Sequence, residues 1–139
     1  DIKNLENIAE IYCDRNDIPS EKSKVVFLTN NLLNSSLIRS LKNKKYYKEI
    51  WVSNRIDDYD LEGSIDLLIE NNDRSYSIID YKTTSEKNLY NLSKVSESYK
   101  SQILDYVKIL KSQKKIVKDA KLLFVSEFME EAFEYNIDI

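Results

Sequence analysis

The segment GSIDLLIENNDRSYSIIDYKTT, residues 63–84, places three charged side chains in two apolar stretches that have the character of β-strands. Asp66 lies within the first stretch, and Asp80 and Lys82 end the second. Residues two apart in a strand share a face, so Asp80 and Lys82 project together. If the turn between the strands is centred on Asp73, Asp66 lies opposite Asp80. The pattern therefore predicts two carboxylates and one ammonium group at a single point of a sheet.

Two opposed carboxylates repel each other, which costs about 0.2–1 kcal/mol in an exposed sheet, so a cation is needed nearby. Lys82 supplies one positive charge, and a divalent metal would supply more. The chain has no histidine and one cysteine, so the ligands would be oxygen atoms, which favour Mg²⁺ or Mn²⁺ over zinc. These groups predict metal-assisted phosphodiester hydrolysis, with Lys82 stabilising the attacking hydroxide or the developing charge. The alternative is that Asp80 and Lys82 form a solvated pair at a strand end.

The composition is that of one soluble domain. Of 139 residues, 42% are hydrophobic and 32% are charged, and the net charge of -3 gives no overall basic signature of nucleic-acid binding. An acidic metal site would offset basic residues elsewhere in that sum. The single cysteine, Cys13, excludes an internal disulfide and any cluster held by several thiolates of this chain. No apolar run approaches about 18 residues and the first residues do not resemble a signal peptide, so we expect a cytoplasmic protein without a membrane partner.

The hydrophobic spacing changes from helical to strand-like near residue 45. Residues 1–45 predict helices, with a break at Pro19 and a short last helix from Ser35 or Ser36. Beyond them the pattern predicts five strands and one further helix: strands 49–54, 61–70 and 75–82, a loop 84–96, a helix 97–113, a strand 120–128 and an edge strand 132–139. This order predicts an α/β fold in which a mixed β-sheet is flanked by helices, with an N-terminal helical region.

Three short motifs, GSID, IIDYKT and QILDY, follow one another in an order that resembles the RecB-type branch of the PD-(D/E)XK nucleases. The similarity is greatest to the C-terminal nuclease domains of AddA/RecB helicase–nucleases, and it covers about residues 45–128. The segment KEIWV, which contains Glu49, is similar to the strand that precedes the first motif in that family. The resemblance implies a restriction-endonuclease-like sheet.

The resemblance also implies roles for individual residues. Asp66 and Asp80 would bind the metal, together with the backbone carbonyl of Tyr81 and the carboxylate of Glu49. Lys82 would be the catalytic lysine. For Glu49 the alternative is a solvated charge at the start of a strand.

Gln102 and Tyr106 of the third motif are one helical turn apart and so share a helix face. In the family this pair lies near the active site and the DNA strand, which makes both candidate catalytic residues. The alternative is that Tyr106 belongs to the core and Gln102 to its margin.

One departure from the family pattern concerns a histidine that normally lies on a helix upstream of these motifs and binds the metal. This chain contains no histidine. We therefore expect residues 1–139 to be a single nuclease domain, with a helical region at 1–45 and a nuclease core at 46–139. We expect it to be a fragment that lacks the upstream helix, binds metal weakly and shows little activity alone.

The function that the resemblance implies is a Mg²⁺-dependent DNA exonuclease domain of an AddA/RecB-type helicase–nuclease, acting in double-strand-break repair and recombination. Its partners would be single-stranded DNA, a helicase domain of the same polypeptide and a partner subunit. The basic segment KNKKYYK, residues 42–48, could follow a DNA backbone. Two alternatives stay open. One is an inactive nuclease-like module that binds DNA or holds subunits, and the other is a stand-alone RecB-like exonuclease.

Overall fold

Five β-strands form one mixed sheet in the computed structural model, which describes residues 2–139 and, for the side chains, residues 4–139. The strands are β1 (Lys45–Ile56), β2 (Tyr59–Glu70), β3 (Tyr76–Thr83), β4 (Val117–Val125) and β5 (Phe133–Ile137). The helices are α1 (Ile2–Arg15), α2 (Lys22–Asn34), α3 (Ser36–Arg39), α4 (Glu86–Leu89) and α5 (Leu92–Ser112), with 3-10 turns at Pro19–Glu21 and Ser40–Asn43. None of the helices described is long and apolar enough to cross a membrane.

The strands lie in chain order across the sheet, from β1 to β5. β1, β2 and β3 form an antiparallel meander, β4 runs parallel to β3, and β5 runs antiparallel to β4. A parallel pair needs a long connection that returns the chain to the starting end of the sheet, and α5 provides it. The predicted mixed sheet with flanking helices and an N-terminal helical region is confirmed.

Several boundaries differ from the predicted ones for local reasons. β1 is longer than predicted at both ends, because its hairpin with β2 pairs from Lys45 through Ile56 and closes in a tight turn at residues 57–58. The predicted loop 84–96 contains α4 and the start of α5. Helix α5 begins early because the side chain of Asn91 accepts a hydrogen bond from the amide of Lys94, which caps its first turn.

Each face of the sheet has its own hydrophobic core. The α5 core, between the sheet and α5, contains residues from all five strands and the helix, among them Ile65, Ile78, Ile103, Ile109 and Phe124. On the opposite face, the α3 core joins α3 and the turn after it to three strands through Leu37, Leu41, Leu67, Ile69, Ile79 and Leu123. Helical layers on both faces bury the middle of the sheet, as expected for an α/β fold.

The alternation of side chains between the two faces shifts by one residue at Glu49 in β1 and at Asp66 in β2. Glu49 has a positive φ of 48°, and the ladder between these strands skips Glu49 and Asp66. The residues that flank this point and pack in the α5 core are three positions apart rather than two: Tyr47 and Ile50 in β1, and Ile65 and Leu68 in β2. Such irregularities re-aim side chains locally, and here the re-aimed side chain is that of Asp66.

Gly63 allows α5 to approach the sheet closely. A Cβ atom at this position would lie 2.6 Å from Cε1 and 3.0 Å from the hydroxyl oxygen of Tyr106, whose ring is buried. We expect Gly63→Ala to lower the free energy of unfolding by about 1–3 kcal/mol, the usual effect of overpacking, as measured by urea denaturation.

The control is the same substitution in a Tyr106→Ala background, where the ring is absent. There Gly63→Ala should be neutral or stabilising, because glycine in a strand interior is itself unfavourable. An equal penalty in both backgrounds would show that the ring is not what excludes a side chain at residue 63.

Candidate active site

Asp80 and Lys82 form a mostly buried ion pair at the end of β3. The side chain of Asp80 is 4% exposed, that of Lys82 is 20% exposed, and Nζ of Lys82 lies 2.6 Å from Oδ2 of Asp80. This contact lowers the pKa of Asp80 and so offsets part of the effect of its burial. Asp80 therefore has charge compensation from one side only.

Tyr99 of α5 supports the ammonium group of Lys82. Nζ lies 4.5 Å from the centre of the Tyr99 ring, a cation–π distance. Lys82 is thus held between the ring of Tyr99 and the carboxylate of Asp80. The sequence showed Tyr99 only as one of the apolar positions of a helix. Its contact with Lys82 depends on how α5 crosses the sheet.

Asp66 lies where β2 and β3 separate. Their ladder has the predicted register, but its last pair is Leu67 with Ile79, one step before Asp66 and Asp80. Beyond it, the amide of Tyr81 donates a hydrogen bond of 2.8 Å to Oδ2 of Asp66. That bond fixes the Asp66 side chain at the opening between the strands.

The electrostatics show that the two carboxylates lie close together. The pKa of Asp80 is raised above its ordinary value, first by burial and further by the negative charge of Asp66, whereas Lys82 offsets part of the rise. Burial, with the charge of Asp66, also raises the pKa of the Tyr81 phenol to about 12. Burial and the charge of Asp66 therefore make the ionised form of Asp80 less favourable, and additional positive charge would stabilise that form.

Tyr106 and Gln102 stand beside these acids on α5. The hydroxyl of Tyr106 donates to the carbonyl oxygen of Ser64 at 2.9 Å and accepts from Nε2 of Gln102, also at 2.9 Å. Burial and the charge of Asp80 raise the pKa of the Tyr106 phenol. Tyr106 is thus a core residue that also holds the β2 backbone next to the acids, while Gln102 is exposed at the rim.

Glu49 is not assembled with the two aspartates into a complete ligand set. Within the described part of the chain, no three histidine, cysteine, aspartate or glutamate side chains are grouped as a metal site. The Glu49 side chain is exposed and borders a cavity of about 330 Å³ that it shares with Lys48, Asp66 and Tyr81. The structure places Asp66 beside Asp80 and Glu49 at the border of the same cavity as Asp66, and the metal-binding role of Glu49 stays a prediction. The backbone of Tyr81 contacts the site through its amide, which donates a hydrogen bond to Asp66.

Two neighbouring carboxylates suit a hard cation. Mg²⁺ is commonly held by one or two carboxylates and keeps several water ligands, so Asp66 and Asp80 suffice as protein ligands. Lys82 offsets one of the two neighbouring negative charges of Asp66 and Asp80, and a bound cation would offset the other. The donor atoms present therefore fit Mg²⁺ or Mn²⁺.

The comparison with known families agrees with this geometry. The profile described as "PD-(D/E)XK nuclease superfamily" matches residues 8–133, which include β1 to β4 and the helices between them. The chain belongs to the PD-(D/E)XK nuclease superfamily. The predicted restriction-endonuclease-like fold is thereby confirmed. The match also reaches into the N-terminal helices, well beyond residues 45–128, where the motifs showed a resemblance.

Solved structures support the fold alone. The crystal structure of SSO0001 superimposes with a TM-score of 0.52 and 18% sequence identity, and the match covers 99% of this chain and 67% of that one. At this identity the likeness shows a shared architecture. A search of curated proteins finds no match.

The raised pKa of Asp80 predicts how stability depends on pH. The folded state binds the proton of Asp80 more tightly than the unfolded state does. Protonated Asp80 therefore stabilises the fold below its ordinary pKa, and this stabilisation is lost as the pH rises through the pKa of Asp80 in the folded state. Metal-free Asp80→Asn should therefore be more stable than the unmodified chain at neutral pH. We expect a gain of about 0.5–2 kcal/mol in urea denaturation, as for other stabilising single substitutions.

The gain should shrink as the pH falls below about 3.9, the ordinary pKa of an aspartate, because Asp80 then becomes protonated in both states. Asp60→Asn, at an exposed position in β2, is the matched control and should show no such gain. A loss of stability in Asp80→Asn at neutral pH would mean that the Lys82 ion pair outweighs the burial of the charge.

Proposed function

We propose that this chain is a Mg²⁺-dependent deoxyribonuclease domain that hydrolyses phosphodiester bonds in single-stranded DNA. The observation that carries the proposal is the buried carboxylate of Asp80, which lies beside Asp66 and is balanced only by Lys82. A carboxylate pair of this kind is unfavourable in an apolar sheet unless it binds a cation. The membership of a nuclease superfamily supports the same reading.

In this proposal Asp66 and Asp80 hold the metal ion, and the amide of Tyr81 fixes the orientation of Asp66. When bound, the metal polarises the phosphate and lowers the pKa of a water molecule. Lys82 places a positive charge beside the same point, where it stabilises negative charge that develops on the phosphate or on the attacking oxygen. Tyr99 restricts the position of that charge.

Tyr106 and Gln102 act at the edge of the site. Tyr106 holds the β2 backbone at Ser64 and so positions Asp66, two residues further on. Gln102 is exposed and its amide group donates to Tyr106, so in this proposal it contacts a bound strand at the rim of the site. In this proposal Tyr106 thus orients the carboxylates, and Gln102 contacts the DNA.

We also propose a helicase–nuclease of the AddA/RecB type, working in double-strand-break repair and recombination, as the setting of this domain. The support is the order of the GSID, IIDYKT and QILDY motifs. The second candidate, a module that binds DNA without cutting it, is supported by the lack of histidine. The intact Asp66, Asp80 and Lys82 favour the enzyme.

The test is cleavage of end-labelled single-stranded DNA by the chain with millimolar Mg²⁺ or Mn²⁺, followed on denaturing gels. We expect Asp80→Asn and Lys82→Ala each to reduce the rate about 10²–10³-fold, as for the loss of one charge-stabilising group. Asp60→Asn should cleave as fast as the unmodified chain. Undiminished cleavage by Asp80→Asn would exclude this site, and metal-dependent binding without cleavage would favour the second candidate.

A further inference from the structure

Trp51, the only tryptophan of the chain, is 62% exposed on the edge strand β1. Its neighbours Ile50 and Val52 pack in the α5 core, so the indole ring lies on the opposite face of the sheet. The residue across the ladder is the small Ser64, which leaves the ring uncrowded from that side. The ring is therefore accessible to a ligand from solvent.

A cation and a second aromatic ring lie on the same face as Trp51. Because the alternation shifts at Glu49, Tyr46 and Lys48 point to this face while Tyr47 packs in the α5 core. Tyr46 is 42% exposed, and Lys48 forms no salt bridge with any described residue. The irregularity in β1 thus brings aromatic and basic side chains together on the face of β1 that points away from α5.

This face meets the candidate active site at Asp66, while Asp80 and Lys82 are in phase with Ile78 on the α5 side of the sheet. Lys48 borders the cavity of about 330 Å³ that also contains Asp66. Ser64, the partner of Trp51, is two residues from Asp66, which is about 7 Å along a strand. At about 3.4 Å per nucleotide in a stacked strand, the ring stands about two nucleotides from the carboxylate.

We propose that Trp51 is a stacking platform for a base of single-stranded DNA and that Lys48 pairs with an adjacent phosphate. This inference rests on the proposed nuclease function and assigns the surface by which the substrate reaches the site. Sequence-independent binding of single strands combines aromatic stacking with cationic contacts to the backbone, and both are present here. Tyr46, beyond Lys48, offers a second ring.

A protein strand that adds to the open edge of β1 is the competing occupant. The charges favour nucleic acid, because the ammonium of Lys48 borders the same cavity as Asp66, one of the two acids proposed above to hold the metal that binds a phosphate. A protein strand would use the backbone of β1 and would need no contact with that cavity.

The experiment follows the fluorescence of Trp51 in the full chain, with Ca²⁺ or EDTA present to suppress cleavage. We expect a dT oligomer of about ten nucleotides to quench the emission, and an abasic oligomer of the same length and charge to quench it much less. Equal quenching by both oligomers would overturn base stacking. Fluorescence that changes with protein concentration alone would point to the protein interface instead.

Variants are compared by fluorescence anisotropy with labelled dT oligomer. Loss of one stacking ring costs about 1–3 kcal/mol, so Trp51→Ala should raise Kd about 5- to 150-fold, whereas Trp51→Phe should keep most of the affinity. Lys48→Ala should reduce the slope of log K against log salt by about 0.7. Tyr59→Ala is the matched control and should leave the affinity unchanged. Tyr59 is an exposed aromatic residue of the same hairpin, but it is two residues from Leu61 and so points to the α5 face, away from Trp51.

Affinity of Trp51→Ala equal to that of the unmodified chain would overturn the platform, whether or not the chain cleaves DNA. Binding that depends on Trp51 in a chain that never cleaves would support the platform and reject only the nuclease function. The two failures are therefore distinguishable.

Discussion

The site depends on one unfavourable charge, the carboxylate of Asp80 at the end of a buried strand. Its side chain is 4% exposed, Lys82 balances it from one side at 2.6 Å, and Asp66 adds a second negative charge. A chain selected for stability alone would place an uncharged side chain here, because removing a carboxylate from water is costly. The arrangement is explained if Asp80 is kept to bind a cation. Lys82, held in place by the ring of Tyr99, then supplies a fixed positive charge at the same site.

The fold keeps this charge in place through two local devices. The first is the separation of β2 from β3 after Leu67 and Ile79, which exposes the amide of Tyr81 to Asp66. The second is the contact between α5 and the sheet, where the hydroxyl of Tyr106 bonds to the β2 backbone and its ring needs the space left by a glycine. The acids are therefore oriented by backbone groups and by a buried aromatic ring, which move less than surface side chains.

The sequence predicted those features that follow from local spacing. The turn residues around Asp73 set the register of β2 with β3, and the three motifs in order indicated the family that the profile match shows. Features that depend on tertiary contacts were missed. The shift at Glu49 and Asp66 breaks the simple alternation from which strand faces are inferred, and Tyr99 reaches Lys82 only because of the crossing of α5. The role of Glu49 beside the two aspartates stays a prediction.

The central claim is that Asp66 and Asp80 together hold a divalent cation, and calorimetric titration of the metal-free chain with Mn²⁺ tests it most directly. The account predicts one binding site that is lost in Asp66→Asn and in Asp80→Asn and retained in Glu62→Gln, an exposed acid of the same strand as Asp66. Binding that is the same in all four proteins would contradict the account, because the metal would then bind elsewhere and Lys82 alone would compensate the buried charge of Asp80.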